Sequence, residues 1–209
     1  MKNYVFKRIL LTTSVACGAL FVSGNVNAAT VSTWEEFKAA IAAGESEIVL
    51  ADNLTATDII TITSPLSIKS ADGQVYKISA ADGLKFSDSF IKYTGTSSSP
   101  LLNLSNVQIS NIYRFNNTNA GTYAGGVINN SGKIGTIDGV FSDNKMEYNL
   151  DSGGHTRVYG GIIYNSSSGS IDKIGGTFSS NDFVSRVPWS SLNSWGGIIS
   201  NQGTINQID

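Results

Sequence analysis

The chain has 209 residues, with 14 basic and 16 acidic side chains, one histidine and one cysteine, and charged residues make up 14% of it. Soluble domains average roughly 25% charged; here Ser, Thr, Asn and Gly fill the difference, and an apolar fraction of 41% gives the chain enough to bury. No run of Lys and Arg marks a nucleic-acid or polybasic lipid-binding surface, and the lone Cys17 excludes a disulfide framework.

At the N-terminus, Lys2, Lys7 and Arg8 precede an apolar stretch from Ile9 to Val22 that breaks at Ser23 and Gly24. Val26 and Ala28 are small residues placed for signal-peptidase cleavage before Ala29, so residues 1–28 read as a secretory signal peptide. Thr12, Thr13 and Ser14 interrupt the stretch and leave it short of the roughly 20 apolar residues a membrane span needs. Ser14 also stands where a lipobox ahead of Cys17 would carry Leu. Processing leaves 11 basic and 16 acidic side chains and no cysteine in residues 29–209. The expected destination is the cell surface, the outer membrane or the medium.

Residues 29–60 read as an N-terminal cap made of a short helix and the first strands. Ser32 to Ile41 has the pattern of a short amphipathic helix, with Thr33 and Glu36, or Ser32 and Glu35, as a capping box, and Gly44 as its stop. Trp34, Phe37 and Ile41 fall on one face and need an apolar surface to cover. Strand-like runs follow at 47–50, 59–62, 66–68, 75–78, 89–93, 101–104 and 107–109.

Beyond them the chain repeats. Gly125-Gly126-Val127-Ile128-Asn129-Asn130 returns as Gly160-Gly161-Ile162-Ile163-Tyr164-Asn165 and as Gly196-Gly197-Ile198-Ile199-Ser200-Asn201, at intervals of 35 and 36 residues. Each copy leads into Gly-x-Ile-x-x-Ile, at Gly132, Gly169 and Gly203, and the first two end in Phe141-Ser142-Asp143-Asn144 and Phe178-Ser179-Ser180-Asn181. Short β-branched clusters separated by Gly, Asn and Ser, in tandem, describe coils of a parallel β-helix, in which each strand pairs with its equivalent one coil on. Equivalent side chains then stack about 4.8 Å apart. Ile128 is expected over Ile163 and Ile199, Ile134 over Ile171 and Ile205, Ile137 over Ile174 and Ile208, and Phe141 over Phe178. Asn130, Asn165 and Asn201 form one expected amide stack, and Asn144 and Asn181 another. The glycine pairs permit positive φ and close backbone approach and lack the Lys-Ser/Thr of a phosphate loop. The reading is all-β, a right-handed single-stranded parallel β-helix over residues 61–209 behind a short capping helix.

The 20-residue core of a unit leaves two polar stretches, 145–158 and 182–194, read as loops ejected from one corner. Binding on rigid scaffolds concentrates on loops. Tyr148, His155, Arg157, Tyr159, Arg186, Trp189 and Trp195 therefore form the candidate binding surface, where amphipathic rings can stack on sugars or dock on protein.

With these motifs quoted, the chain resembles polymorphic outer-membrane proteins and related autotransporter passengers, whose repeats are Gly-Gly-Ala-Ile and Phe-x-x-Asn; here Val or Ile takes the Ala position. The segment 31–68 is similar to the helix-plus-first-coils opening of such secreted β-helix proteins. The resemblance implies surface display and a role in adhesion or host interaction, with a host receptor, a matrix protein or a glycan as partner, no nucleic acid, and the outer membrane reached only through a C-terminal barrel. No barrel strands of alternating apolar and polar residues follow, and the chain stops within its third copy, so a fragment or truncated product is expected.

The rival from another class is a polysaccharide lyase or hydrolase on a pectin-lyase-like β-helix, which needs carboxylates on neighbouring coils. In the repeat alignment Asp138 matches Gly175, Asp143 matches Ser180 and Asp172 matches Gly135, and His155 has no companion at metal-ligand spacing. No catalytic residue, cofactor or metal is expected.

Overall fold

The computed structural model describes residues 28–95, 102–117, 122–149, 156–186, 192–195 and 197–209. Apart from Ala28, the expected signal peptide lies outside them. Strand β1 (Ala28–Val31) leads into helix α1 (Trp34–Ala43). A first coil follows, β2 (Glu47–Leu50), β3 (Leu54–Ala56) and β4 (Ile60–Ile62), then β5 (Leu66–Ser70), β6 (Tyr76–Ala80) and β7 (Ile91–Tyr93). The next coil has four strands, β8 (Leu102–Ser110), β9 (Tyr113–Asn116), β10 (Thr122–Ala124) and β11 (Ile128–Asn130). It is repeated by β12 (Lys133–Ser142), β13 (Lys145–Asn149), β14 (Thr156–Tyr159) and β15 (Ile163–Asn165). A further copy comprises β16 (Ser170–Ser179), β17 (Asp182–Arg186), β18 (Leu192–Trp195) and β19 (Ile199–Asn201), and β20 (Thr204–Ile208) continues beyond it.

Each strand pairs in parallel with its equivalents, making a parallel β-helix of four sheets. The first sheet runs β1-β2-β5-β8-β12-β16-β20, with β3 and β6 joined to it through β8; the second runs β4-β7-β11-β15-β19. The third is β9-β13-β17 and the fourth β10-β14-β18. The expected columns form. Ile48, Ile68, Leu104, Ile137, Ile174 and Ile208 are successive register partners, as are Ile60 and Ile91, then Ile91, Ile128, Ile163 and Ile199. Ile134 lies over Ile171 and Ile205, and the Phe141 and Phe178 rings stack at 5.0 Å and 6°. Period-two burial, as in β3, β4 and β5, places alternate residues inside, and each fully buried Ile or Leu contributes roughly 1.5–3 kcal/mol.

The polar columns also follow the repeat. Asn130 Nδ2 donates to Asn165 Oδ1, and Asn165 Nδ2 to Asn201 Oδ1, each at 2.7 Å, while both amides also bond backbone carbonyls of the adjacent turn. At the other corner Asp143 and Ser180 hold positive φ, and the Asn that follows each secures the turn: Asn144 Nδ2 donates to Ile109 O at 3.0 Å and Asn181 Nδ2 to Phe141 O at 2.8 Å. The Asn of Phe-x-x-Asn thus ties its corner to the coil before it.

One expectation is corrected. Stretches 145–158 and 182–194 are not simply ejected loops: β13 and β17 lie in them, β14 and β18 begin in them, and these strands add two sheets, so a coil there has four sides. In the N-terminal segment β2, β3 and β4 pair with the coil after them, and β1 and α1 precede them. Thr33 and Glu36 form the capping box, Gly44 ends the helix at φ 75°, and Trp34, Phe37 and Ala40 are buried, with Trp34 stacked on Phe90, just ahead of β7, at 5.8 Å. The helix closes the end of the apolar interior that strands alone would leave open.

The first two glycine pairs are required by close approach. Gly125 and Gly160 sit at φ 60° and 66°, and a Cβ on Gly161 would overlap the carbonyl oxygen of Gly197, whose partner Gly161 N–H donates to it at 2.9 Å. Gly161→Ala is therefore expected to force two coils apart and abolish cooperative unfolding, followed by circular dichroism. Asn165→Ala leaves the buried Asn130 amide and two turn carbonyls short of a partner and should cost about 1–3 kcal/mol, read as a lower denaturant midpoint at unchanged slope.

Candidate functional site

The third and fourth sheets enclose a small second core of Met146, Tyr148 and Val158, with Tyr123 and Phe183 against it. Alternation along each strand decides what points there. In β13, Met146 and Tyr148 face in; in β14, Val158 faces in and Arg157 and Tyr159 face out. Tyr148, expected on an exposed surface, is 0% exposed and does not belong to a binding surface; burial pushes its hydroxyl pKa up. Its neighbours explain this: Asn116 and Ser185 are its register partners, and Tyr123 and Phe183 lie against its ring.

At the start of this second core the register partner of Met146 is Arg114, which is buried. Its Nη1 donates to the carbonyls of Ala124, at 2.7 Å, and Gly125, and to Ser89 Oγ at 3.3 Å, while Nη2 lies 3.8 Å from Asp88. Asp88 also binds Lys92. Three-sided coils widen to four-sided ones at this level, and the guanidinium fills the step and joins Ser89 Oγ in donating to the Ala124 and Gly125 carbonyls.

Outside the third sheet, Tyr113 Oη donates to Glu147 at 2.6 Å, Lys145 pairs with Glu147 at 2.7 Å, and Lys85 lies over the Tyr113 and Phe115 rings at 5.1 and 4.6 Å. Burial and the Glu147 bond both raise the Tyr113 hydroxyl. This face is internally matched, cation to ring and carboxylate.

The fourth sheet and the corner after it are different. Arg157 is exposed, with Thr122 and Asn193 in register; Tyr159 is half-buried, with Ala124 and Trp195 in register. Gly160 and Gly161 turn the chain, and Tyr164 then projects from β15 with Asn129 and Ser200 as register partners. The rings of Tyr159 and Tyr164 meet across the glycine corner at 5.4 Å, and Tyr164 Oη donates to Gln202 Oε1 at 2.8 Å. Burial, and then the neighbouring Tyr159, raise the Tyr164 hydroxyl above its usual range.

Of the residues singled out from sequence, the structure brings Arg157, Tyr159 and Trp195 onto one sheet, sets Arg186 at the end of β17 opposite Asn149, and buries Tyr148. His155 and Trp189 lie outside the described residues. Sequence reasoning missed Tyr164 and Gln202, although Tyr164 was visible as the copy in which an aromatic replaces Asn129 and Ser200 inside the repeat. Among the described residues no three His, Cys, Asp or Glu side chains gather as a metal set, and no helix is long and apolar enough to cross a membrane. No family model matches the chain, and no curated protein matches it in sequence.

Asp88 supplies a pH prediction. Burial raises its carboxyl pKa, but the Lys92 hydrogen bond, the Ser89 N–H and the Arg114 charge outweigh burial and hold it below the usual range. Stability from this group is therefore present above the unfolded carboxylate pKa, about 3.9, and is lost as pH falls through the folded value. The denaturant midpoint of Asp88→Asn should lie below that of the natural chain at pH 6 and converge on it below about pH 4.

Proposed function

We propose that the chain is an exported β-helix scaffold that binds a host receptor, a matrix protein or a glycan at the cell surface, as an adhesin-type passenger, without catalysis. The observation that carries this reading is the outer face of the fourth sheet and its corner. There, strands held in parallel register by a rigid stack present Arg157, Tyr159 and Tyr164 side by side. Rigid elements position binding groups more closely than loops do, and rings that are half-buried lose little freedom on contact. The leader-like residues 1–28 support export, and cleavage before Ala29 keeps three of the four residues of β1. The Gly-Gly-Ile-Ile and Phe-x-x-Asn repeats support the autotransporter class.

Register supports the non-catalytic side of the proposal. Asp138 is paired with Ser105 in one neighbouring coil and Gly175 in the other, so the carboxylate pair that a β-helix glycosidase or lyase requires is not assembled around it. The test is one preparation assayed twice. The exported protein should bind epithelial cells or immobilised matrix saturably and leave polygalacturonate and other acidic glycans at constant chain length. Turnover of any of these glycans contradicts the reading, as does failure to bind cells and matrix alike.

A further inference from the structure

The corner between the fourth and second sheets has a charge pattern unlike that of the rest of the chain. The whole sequence has more acidic than basic residues, 16 against 14. Yet the three strands of the fourth sheet, Thr122–Ala124, Thr156–Tyr159 and Leu192–Trp195, contain one charged residue, Arg157, and no carboxylate. The five strands of the second sheet contain only Lys92, whose ammonium Asp88 binds. Arg157 is exposed, so its planar donor fork is presented to solvent on a face whose strands hold no acid.

Shape adds to charge. In the coil before it, Ala124 and Asn129 hold the register positions of Tyr159 and Tyr164, and Gly125 and Gly126 lie between them without side chains. The two tyrosines therefore rise as a step above a floor of small groups, with Arg157 two residues along the same outward row of β14 as Tyr159. The Tyr164 ring is held from both sides, by Tyr159 at 5.4 Å and through its hydroxyl by Gln202 at 2.8 Å, so little order has to be imposed on it when a ligand arrives.

We propose that this corner is a binding site for carboxylated glycans, those built with uronate or sialate units, in which sugar faces pack against Tyr159 and Tyr164 and Arg157 takes the carboxylate in a two-pronged hydrogen bond. The inference rests on the surface-binding reading above and names the ligand class for it. Sugar rings present apolar C–H faces that suit an aromatic wall, and their hydroxyls suit the Asn129 amide. The carboxylate selects Arg157, because guanidinium and carboxylate match in plane and in donor spacing. A neutral glycan would leave that donor fork unmatched.

The experiment is calorimetric titration of the exported protein with hexagalacturonate, a hyaluronate hexasaccharide and sialyllactose, each beside its methyl-esterified, uncharged form. At least one acidic sugar should bind, and its ester at least about tenfold more weakly. Arg157→Gln should lower the affinity for the acid by about tenfold while leaving the ester unchanged, and Tyr164→Ala should lower both. Tyr164→Phe keeps the ring and should keep most of the affinity, and an unaltered thermal transition for each variant separates lost contact from lost fold. Binding by none of the acids, equal binding of acid and ester, or indifference to Arg157→Gln overturns the proposal. If cell or matrix binding then survives in the Arg157→Gln, Tyr164→Ala double variant, the ligand assignment fails while the scaffold reading stands; if cell binding was never present, that reading fails first.

Discussion

Parallel stacking at a strand spacing of about 4.8 Å is the constraint from which the rest of this structure follows. Each side chain meets the side chain at the equivalent position of the neighbouring coil, so a residue type that recurs down a column must tolerate itself as a neighbour. Isoleucine does so by interdigitating methyl groups; phenylalanine does so by stacking, as Phe141 and Phe178 show at 5.0 Å. Asparagine does so because its amide is donor and acceptor at once, which lets Asn130, Asn165 and Asn201 form a ladder inside a buried corner. Glycine is needed where backbones cross so closely that no Cβ fits, as at Gly126 and Gly161. On the outside, opposite charges pair between adjacent coils, with Lys69 against Glu47 and Lys173 against Asp209.

That self-matching explains what could be read from the sequence. Positions that stack on themselves repeat, and a repeat is visible without any structure: the Ile columns, both Asn ladders, the glycine pairs and the register of Asp138 against Gly175 were all legible. The third and fourth sheets were not, for a physical reason. Their interior is small and each strand contributes one or two inward residues of differing kind, so that Arg114, Met146 and Phe183 share a column without sharing a residue type. A segment such as Lys145-Met146-Glu147-Tyr148 then looks like polar loop with a stray aromatic. Period-two alternation was the remaining signal, and applied to 145–148 it would have put Tyr148 inside with Met146. Strand β1 was missed because four residues ahead of a helix carry no pattern of their own; pairing with β2 makes it a strand.

The candidate site was legible by residue type but not by arrangement. Arg157, Tyr159 and Trp195 were picked out as amphipathic residues, and the sheet that holds them on one side of the molecule was not foreseen. Tyr164 was overlooked because it sits inside a motif whose other positions are structural. In a stacked repeat the outward positions are the ones released from self-matching, so a departure there, an aromatic where the other copies carry Asn129 and Ser200, marks where selection for something other than folding can act. Arg114 is the inward counterpart: a charge admitted to the interior where the coil widens, with the Ala124 and Gly125 carbonyls and Ser89 as its partners.

Covalent trapping of the register tests the central claim most directly. Val140 and Thr177 are register partners in adjacent coils, at a separation that a disulfide can bridge. With Cys17 replaced by Ser, Val140→Cys with Thr177→Cys should oxidise to an intramolecular disulfide in full yield under mild conditions. Val140→Cys with Lys173→Cys, displaced four residues along the strand or roughly 13 Å, should stay reduced. Reversal of that pattern, or equal oxidation of both pairs, would contradict coils stacked in the register from which the columns, the corners and the aromatic face are all derived.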